Sequence, residues 1–178
     1  MRKNEIKKLV LSAMFLALAF VMPFLTGQIP QIGSMLCPMH IPVLLCGLIC
    51  GPQFGFLCGL IGPLLSSFII GMPVMARLPG MMCELAIYGL IAGLLMKFIH
   101  TRKIYIDIYI SLITAMLIGR IIGGIVNAFI FMAGSYSWTM WVTGYFVTCI
   151  PGIILQLALI PIIVVALMKA DLIPMRYE

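Results

Sequence analysis

Residues 104–134 read IYIDIYISLITAMLIGRIIGGIVNAFIFMAG, an apolar run with one arginine near its middle. A helix needs about 20 apolar residues to cross the hydrocarbon core of a bilayer, and this run supplies them. A charge at that depth costs about 3 kcal/mol on insertion scales. A chain keeps such a residue when a side chain, a water-filled cavity or a ligand pairs with it. Arg120 and Asn127 are seven residues apart. That is about two helical turns, so they share a face. Gly123 and Gly124 lie on or next to that face and leave space in front of it. The segment reads as the polar wall of a pocket inside a membrane bundle.

Composition agrees. The chain has 178 residues, 63% hydrophobic and 9% charged, with a mean hydropathy of +1.22. Soluble domains are about half apolar and a quarter charged. The expectation is an all-α, polytopic membrane protein forming a single domain over residues 1–178. Polar stretches do not exceed about ten residues, which leaves no room for a soluble catalytic or nucleotide-binding domain. The net charge of +6 comes from short basic clusters at helix ends. These orient spans in a membrane and are not a nucleic-acid footprint. The six cysteines (37, 46, 50, 58, 83 and 149) include no CxxC, and the two histidines have no ligand-like spacing. No zinc site is expected, and the thiols read as free and buried. The fifteen methionines read as adaptable apolar filler. No Walker A, HExxH or GxSxG sequence occurs, so neither a cofactor nor an enzymatic activity is expected.

Taken in order, span 1 runs from about Lys7 to Leu25. It is too long for a signal-peptide core and lacks a small-x-small cleavage site, so it reads as retained. Ala13 and Ala17 form a small-xxx-small face with Ser12 beside it, suited to close helix approach within the chain or by a partner. Residues 26–40, TGQIPQIGSMLCPMH, read as a loop over one mouth of the bundle. Span 2 is short, opening at Pro42 and closing at Gly51-Pro52. Gly47, Gly51, Gly55 and Gly59 recur every four residues, which allows spans 2 and 3 to pack tightly. Span 3 covers about 53–71, with a bend expected at Pro63. A loop carrying Arg77 follows, then span 4 at about 80–99 with Glu84 near its outer end. Span 5 holds Arg120. A third loop, 134–143, contains Tyr136, Trp138 and Trp141. Span 6 runs to about Lys169 with Pro151, Gln156 and Pro161 inside it. Nine of the eleven Lys and Arg residues then fall on one side. The positive-inside rule makes that side cytoplasmic, giving six spans with both termini inside.

Glu84, Arg120, Asn127 and Gln156 are the main strongly polar side chains at membrane depth. At 1.5 Å per residue, Glu84 lies roughly 6–8 Å in from the outer end of its helix, Asn127 roughly 10 Å, and Arg120 and Gln156 roughly 20 Å. Two readings stand. In one, the four line an outward-opening ligand pocket. In the other, Glu84 and Arg120 form a structural salt bridge beside inter-helical amide bonds. Trp138 and Trp141 suit either interfacial anchoring or a lid over the mouth. His40, at the outer end of span 2, suits a capping or ligand role.

The stretch Met39–Leu65, MHIPVLLCGLICGPQFGFLCGLIGPLL, resembles the S components of energy-coupling factor (ECF) transporters. The similarity lies in an Ile-Pro-Val-Leu-like start, a Gly-Pro turn and a glycine-spaced third span. Ala13-x-x-x-Ala17 is similar to the alanine motif through which that family's first span meets its coupling subunit. The resemblance implies a substrate-binding subunit for a vitamin. It would dock on a transmembrane coupling subunit and two ATPase subunits, which hydrolyse the ATP, then topple and release substrate inside. It also implies a pocket built from the first loop and spans 4 to 6. On this chain that selects Glu84, Arg120, Asn127 and Gln156, with Gln28, Gln31 and His40, and Trp138 as a mouth residue. Arg120 suits an anionic group. Pantothenate is the favoured substrate, and a B6 vitamer or another B vitamin is the next choice. The rival expectation is a structural membrane protein of the cell-shape type with no small ligand.

Overall fold

The computed structural model describes residues 2–27, 29–101, 103–131, 136–170 and 173. Gln28, Arg102 and most of the tail after Ala170 lie outside the described residues. The helices are α1 (Arg2–Leu25), α2 (Pro30–Leu36), α3 (His40–Cys50), α4 (Pro52–Ile70), α5 (Leu78–Phe98), α6 (Ile104–Val126), α7 (Trp138–Val142) and α8 (Ile150–Lys169). Two π-helical turns, Asn127–Phe131 and Thr143–Val147, lie on either side of α7. No strand occurs among the described residues. Among the described residues, six stretches are long and apolar enough to cross a membrane: Glu5–Phe24, Gln31–Cys50, Pro52–Ile70, Leu78–Phe98, Ile104–Ile130 and Ile150–Lys169. The protein is an all-α, multi-pass membrane protein.

The shortest spanning helix is the most enclosed. All eleven residues of α3 are buried. It packs against α1, α4, α5 and α8, and a helix apolar all round belongs in such a position. The α3–α4 turn is made by Gly51, whose φ of 106° is closed to residues with a side chain. Pro52 then starts α4 with a pre-set φ and no need of an N–H partner.

The four-residue glycine spacing acts on three helices, one more than expected. A Cβ on Gly55 would stand 2.5 Å from the Gly89 carbonyl oxygen and 2.6 Å from the Gly47 Cα. Gly59 faces the Leu85 backbone, and Gly93 faces Gly51 and Pro52. Thus α3, α4 and α5 meet backbone to backbone, as small residues permit in a membrane. Gly89→Ala forces apart the α4–α5 contact and should destabilise by about 1–3 kcal/mol, the usual cost of overpacking. A lowered melting midpoint in detergent checks this. Gly144→Ala is the control, because its added Cβ meets nothing within 4 Å.

Three expectations about boundaries are corrected. Residues 26–40 are not all loop. Pro30–Leu36 forms α2, ending at Cys37 in the left-handed region (φ 46°). Ile29, Ile32 and Met35 are exposed, and α2 packs on the start of α8. The second span is therefore a broken helix, α2 then α3, and α3 begins at His40 instead of Pro42. The sixth span is broken too. Pro151 lies in the first turn of α8, preceded by the π-helical turn and α7. This places Gln156 six residues from the α8 start, roughly 9 Å in at 1.5 Å per residue, not 20 Å. Prolines and glycines mark both breaks. Sequence polarity alone could not show that the pieces stay helical on each side.

α1 is the peripheral span. Ser12, Ala19 and Thr26 are buried, and Gly62 of α4 lies opposite Ala19 and Leu16. Ile6, Leu9, Val10, Met14, Val21 and Phe24 are exposed. Ala13 and Ala17 are exposed on this outer side, whereas Ser12 faces inward.

Candidate functional site

The polar side chains of α3, α5 and α6 meet at one place. The Arg120 Nε–H donates to the Tyr88 hydroxyl oxygen at 2.8 Å, and that hydroxyl donates to Glu84 Oε1, also at 2.8 Å. Glu84 Oε1 lies 3.6 Å from His40 Nε2. The His40 and Tyr88 rings meet edge to face, 5.3 Å between centroids. All four are buried: Tyr88 is 0%, Arg120 2%, His40 4% and Glu84 7% exposed. The Glu84–Arg120 relation anticipated from sequence thus runs through a hydroxyl. Tyr88 sits one helical turn beyond Glu84 on the same face, and that spacing was the signal that could have found it. Room for its ring comes from Gly119, where a side chain would collide with the tyrosine ring.

Two further groups flank this chain of bonds. Gln156, fully buried, donates from Nε2 to the Cys37 carbonyl at 3.4 Å. The His40 backbone N–H donates to the same carbonyl at 3.1 Å. Gln156 thereby ties α8 to the α2–α3 break. Asn127 donates from Nδ2 to the Tyr145 hydroxyl oxygen at 2.8 Å, joining the two π-helical turns. Gly80 leaves the space that the Asn127 amide fills. A Cβ on Gly123 would stand 3.3 Å from both Glu84 Cβ and the Tyr145 hydroxyl, so the Asn127–Tyr145 pair borders the Glu84 side. Burial first, then the Glu84 charge, pushes the Tyr145 hydroxyl well above its ordinary pKa.

The aromatic cover is Trp141 and Phe146. The Trp141 indole N–H donates to the Arg120 carbonyl at 3.1 Å, in space left by Gly124. Phe146 places its ring 5.6 Å from the guanidinium carbon, within cation–π range. Trp138 stacks on Trp141 with centroids 4.7 Å apart but is 75% exposed. It touches the cover from outside and does not reach the polar cluster. Gln31 is exposed on α2, and Gln28 lies outside the described residues. Of the residues singled out from sequence, the structure brings together Glu84, Arg120 and His40, with Gln156 and Asn127 at the edges.

Hydrogen-bonding capacity remains unused within this cluster. Among the described residues, His40 Nδ1 and Gln156 Oε1 have no partner. Arg120 is held through its Nε, which donates to Tyr88, and through its carbonyl, which accepts from the Trp141 indole. Buried polar groups are nearly always paired, and each that is not costs about 1–3 kcal/mol. An imidazole nitrogen and an amide acceptor are left for something else to satisfy. No group of three or more metal-type ligands occurs among the described residues.

A shallow apolar groove of about 360 Å³ runs along α6, lined by Tyr105, Ile106, Tyr109, Ile110, Ile113 and Thr114. It contains none of these polar residues and belongs to the bundle surface.

The sequence model of the ECF transporter substrate-specific component matches residues 7–164. This protein belongs to that family. Neither a curated protein nor a solved structure matches the chain. An ECF substrate-specific component is a transporter subunit that recognises a small molecule. The family match spans the whole bundle from α1 to near the end of α8, so the buried polar cluster lies within the matched region.

Proposed function

We propose that this S component binds a water-soluble vitamin, pantothenate in first place, at the cluster formed by His40, Glu84, Tyr88 and Arg120 with Gln156 and Asn127. The observation that carries the reading is the unused capacity of buried groups. Among the described residues, the buried His40 Nδ1 and Gln156 Oε1 lack partners, and the Arg120 guanidinium is engaged through Nε. A carboxylate satisfies the guanidinium fork through charge-assisted bonds. Hydroxyl and amide groups along the same molecule satisfy His40 and Gln156. Pantothenate combines one carboxylate with two hydroxyls and an amide. The proposed entry is from the side carrying α2 and α7, which the charge distribution makes the outside.

The exposed Ala13 and Ala17 support docking of α1 on a transmembrane coupling subunit. Two ATPase subunits attached to that subunit would supply the energy. The setting is a bacterial cytoplasmic membrane, with both chain ends on the cytoplasmic side.

The test is mass spectrometry of small molecules that co-purify with the detergent-solubilised protein, followed by calorimetry with the B vitamins. Pantothenate is expected to bind well below micromolar. Tight binding of a B6 vitamer instead would reassign the substrate and leave the site. Absence of any vitamin-sized ligand binding below micromolar would remove the proposal.

A further inference from the structure

The six cysteines are not equivalent. Five are buried and Cys83 is partly exposed. Two that are 112 positions apart in sequence meet, with Cys37 Sγ donating to Cys149 Sγ at 3.3 Å. Each thiol also reaches a carbonyl of α2, since Sγ of Cys37 and of Cys149 lie 3.1 and 3.2 Å from the Ser34 oxygen. Cys37 is the left-handed C-cap of α2, and Cys149 is the residue before α8. We propose that Cys37 and Cys149 are a redox modification site, whose disulfide latches α2 to the start of α8 beside the polar cluster.

The geometry supports a bond between these two. A disulfide needs its sulfurs about 2 Å apart, a short closure from the hydrogen-bonded contact. The two thiols already point at each other from separate helices. The hydrogen bond from Cys37 favours the thiolate form of Cys149. Cys149, the accepting thiol, is therefore assigned as the nucleophile, because the thiolate is the reacting form. With the basic helix ends inside the cell, the positive-inside rule puts this end of the bundle outside, where disulfides persist; the linkage test in detergent does not depend on that orientation.

Burial at 7% and 8% exposure selects a small oxidant, and hydrogen peroxide is the class proposed. The Cys149 sulfur attacks one peroxide oxygen. An S–O bond forms, the O–O bond breaks, and the departing hydroxide becomes water with the proton released when the Cys149 thiolate formed. The Cys37 sulfur then attacks the Cys149 sulfenic acid. The S–S bond forms, the S–O bond breaks, and hydroxide leaves as a second water with the Cys37 proton. Two thiols are oxidised, and one peroxide is reduced to two waters.

The link would act where the site is held closed. The Cys37 carbonyl accepts from both Gln156 and His40, and the Leu36 carbonyl packs against Gly152 of α8. Oxidation would therefore fix α2 over the cluster. Slowed substrate exchange is the consequence, and that consequence alone rests on the proposed function.

The test uses the full chain in detergent, treated with hydrogen peroxide or kept reduced, without substrate. Free thiols are alkylated and the protein is digested without reductant for mass spectrometry. The expected product is a peptide pair joining Cys37 to Cys149, reversed by reductant and absent in Cys37→Ser and in Cys149→Ser, while Cys83→Ser retains it. Hydrogen exchange of the α2 amides should slow by about tenfold in the oxidised protein, as local opening is suppressed. Over-oxidised single cysteines without the linked pair, or equal linkage of another pair, would overturn the assignment. A linked protein with unchanged α2 exchange would overturn the latch. Both readouts are independent of ligand binding, so their failure is distinguishable from failure of the vitamin site.

Discussion

Arg120→Ala is expected to weaken substrate binding by at least tenfold, and more for a ligand whose carboxylate sits on both terminal nitrogens. Hydrogen bonds to a charged group contribute about 1.5–3 kcal/mol each, and 1.4 kcal/mol is a factor of about ten in affinity. Calorimetry on the purified variant reads the loss. The competing explanation is that Arg120 only holds Glu84 in place, and Tyr88→Phe separates the two. Its hydroxyl is the link between Arg120 Nε and Glu84 Oε1, so the phenylalanine breaks the internal chain while leaving the guanidinium in position. If Arg120 serves the ligand, Tyr88→Phe keeps most of the affinity and Arg120→Ala does not. If Arg120 serves the fold, both variants melt earlier and lose binding together. Arg120→Lys refines the answer: a lysine keeps the charge but not the planar fork, so a carboxylate held by two parallel bonds is held less well.

The spans were legible because each depends on a property that every residue in a stretch shares. Apolar runs of bilayer length leave few alternatives in lipid, where backbone groups must pair internally. The polar residues that matter were legible for the opposite reason. Arg120, Glu84 and Gln156 are expensive at that depth and stand out against their neighbours. Tyr88 was missed because a tyrosine in an apolar helix carries no such penalty signal; only its fully buried hydroxyl, shared between two charged-type partners, reveals its part. Trp141 was separable from Trp138 only once Gly124 was seen to make room for the indole. The helix breaks were marked by their prolines and glycines, yet the identity of what lies beyond each break depends on packing. α2 is helical because its other face rests on α8, and nothing local to residues 30–36 reports that contact. The meeting of Cys37 with Cys149 is of the same kind. It follows from the docking of α2 on α8 and has no counterpart in cysteine spacing.

Ala13→Trp and Ala17→Trp should abolish uptake of the proposed substrate in cells carrying a coupling module while leaving binding by the isolated subunit within about twofold, since exposed substitutions shift stability by about 0.5 kcal/mol or less. Both alanines are exposed, with Met14 and Leu18 beside them also exposed. The inward side of α1 is occupied by other residues. Ser12 returns its hydroxyl to the Leu9 carbonyl at 2.8 Å, and Ala19 and Leu16 approach Gly62 of α4. A tryptophan at position 13 or 17 therefore projects away from the bundle and displaces no internal contact. A partner helix seated on a small-residue face meets it at backbone distance, and an indole there holds the two helices apart. The paired measurement is radiolabelled vitamin uptake in cells against calorimetric binding in detergent. Uptake lost with binding kept locates the docking surface on α1. Binding lost as well would mean that α1 transmits strain to α3, on which it packs, and the alanine face would have to be read as part of the fold. Ser12→Trp is the contrasting variant: its side chain points into the bundle, so it should lower both quantities together.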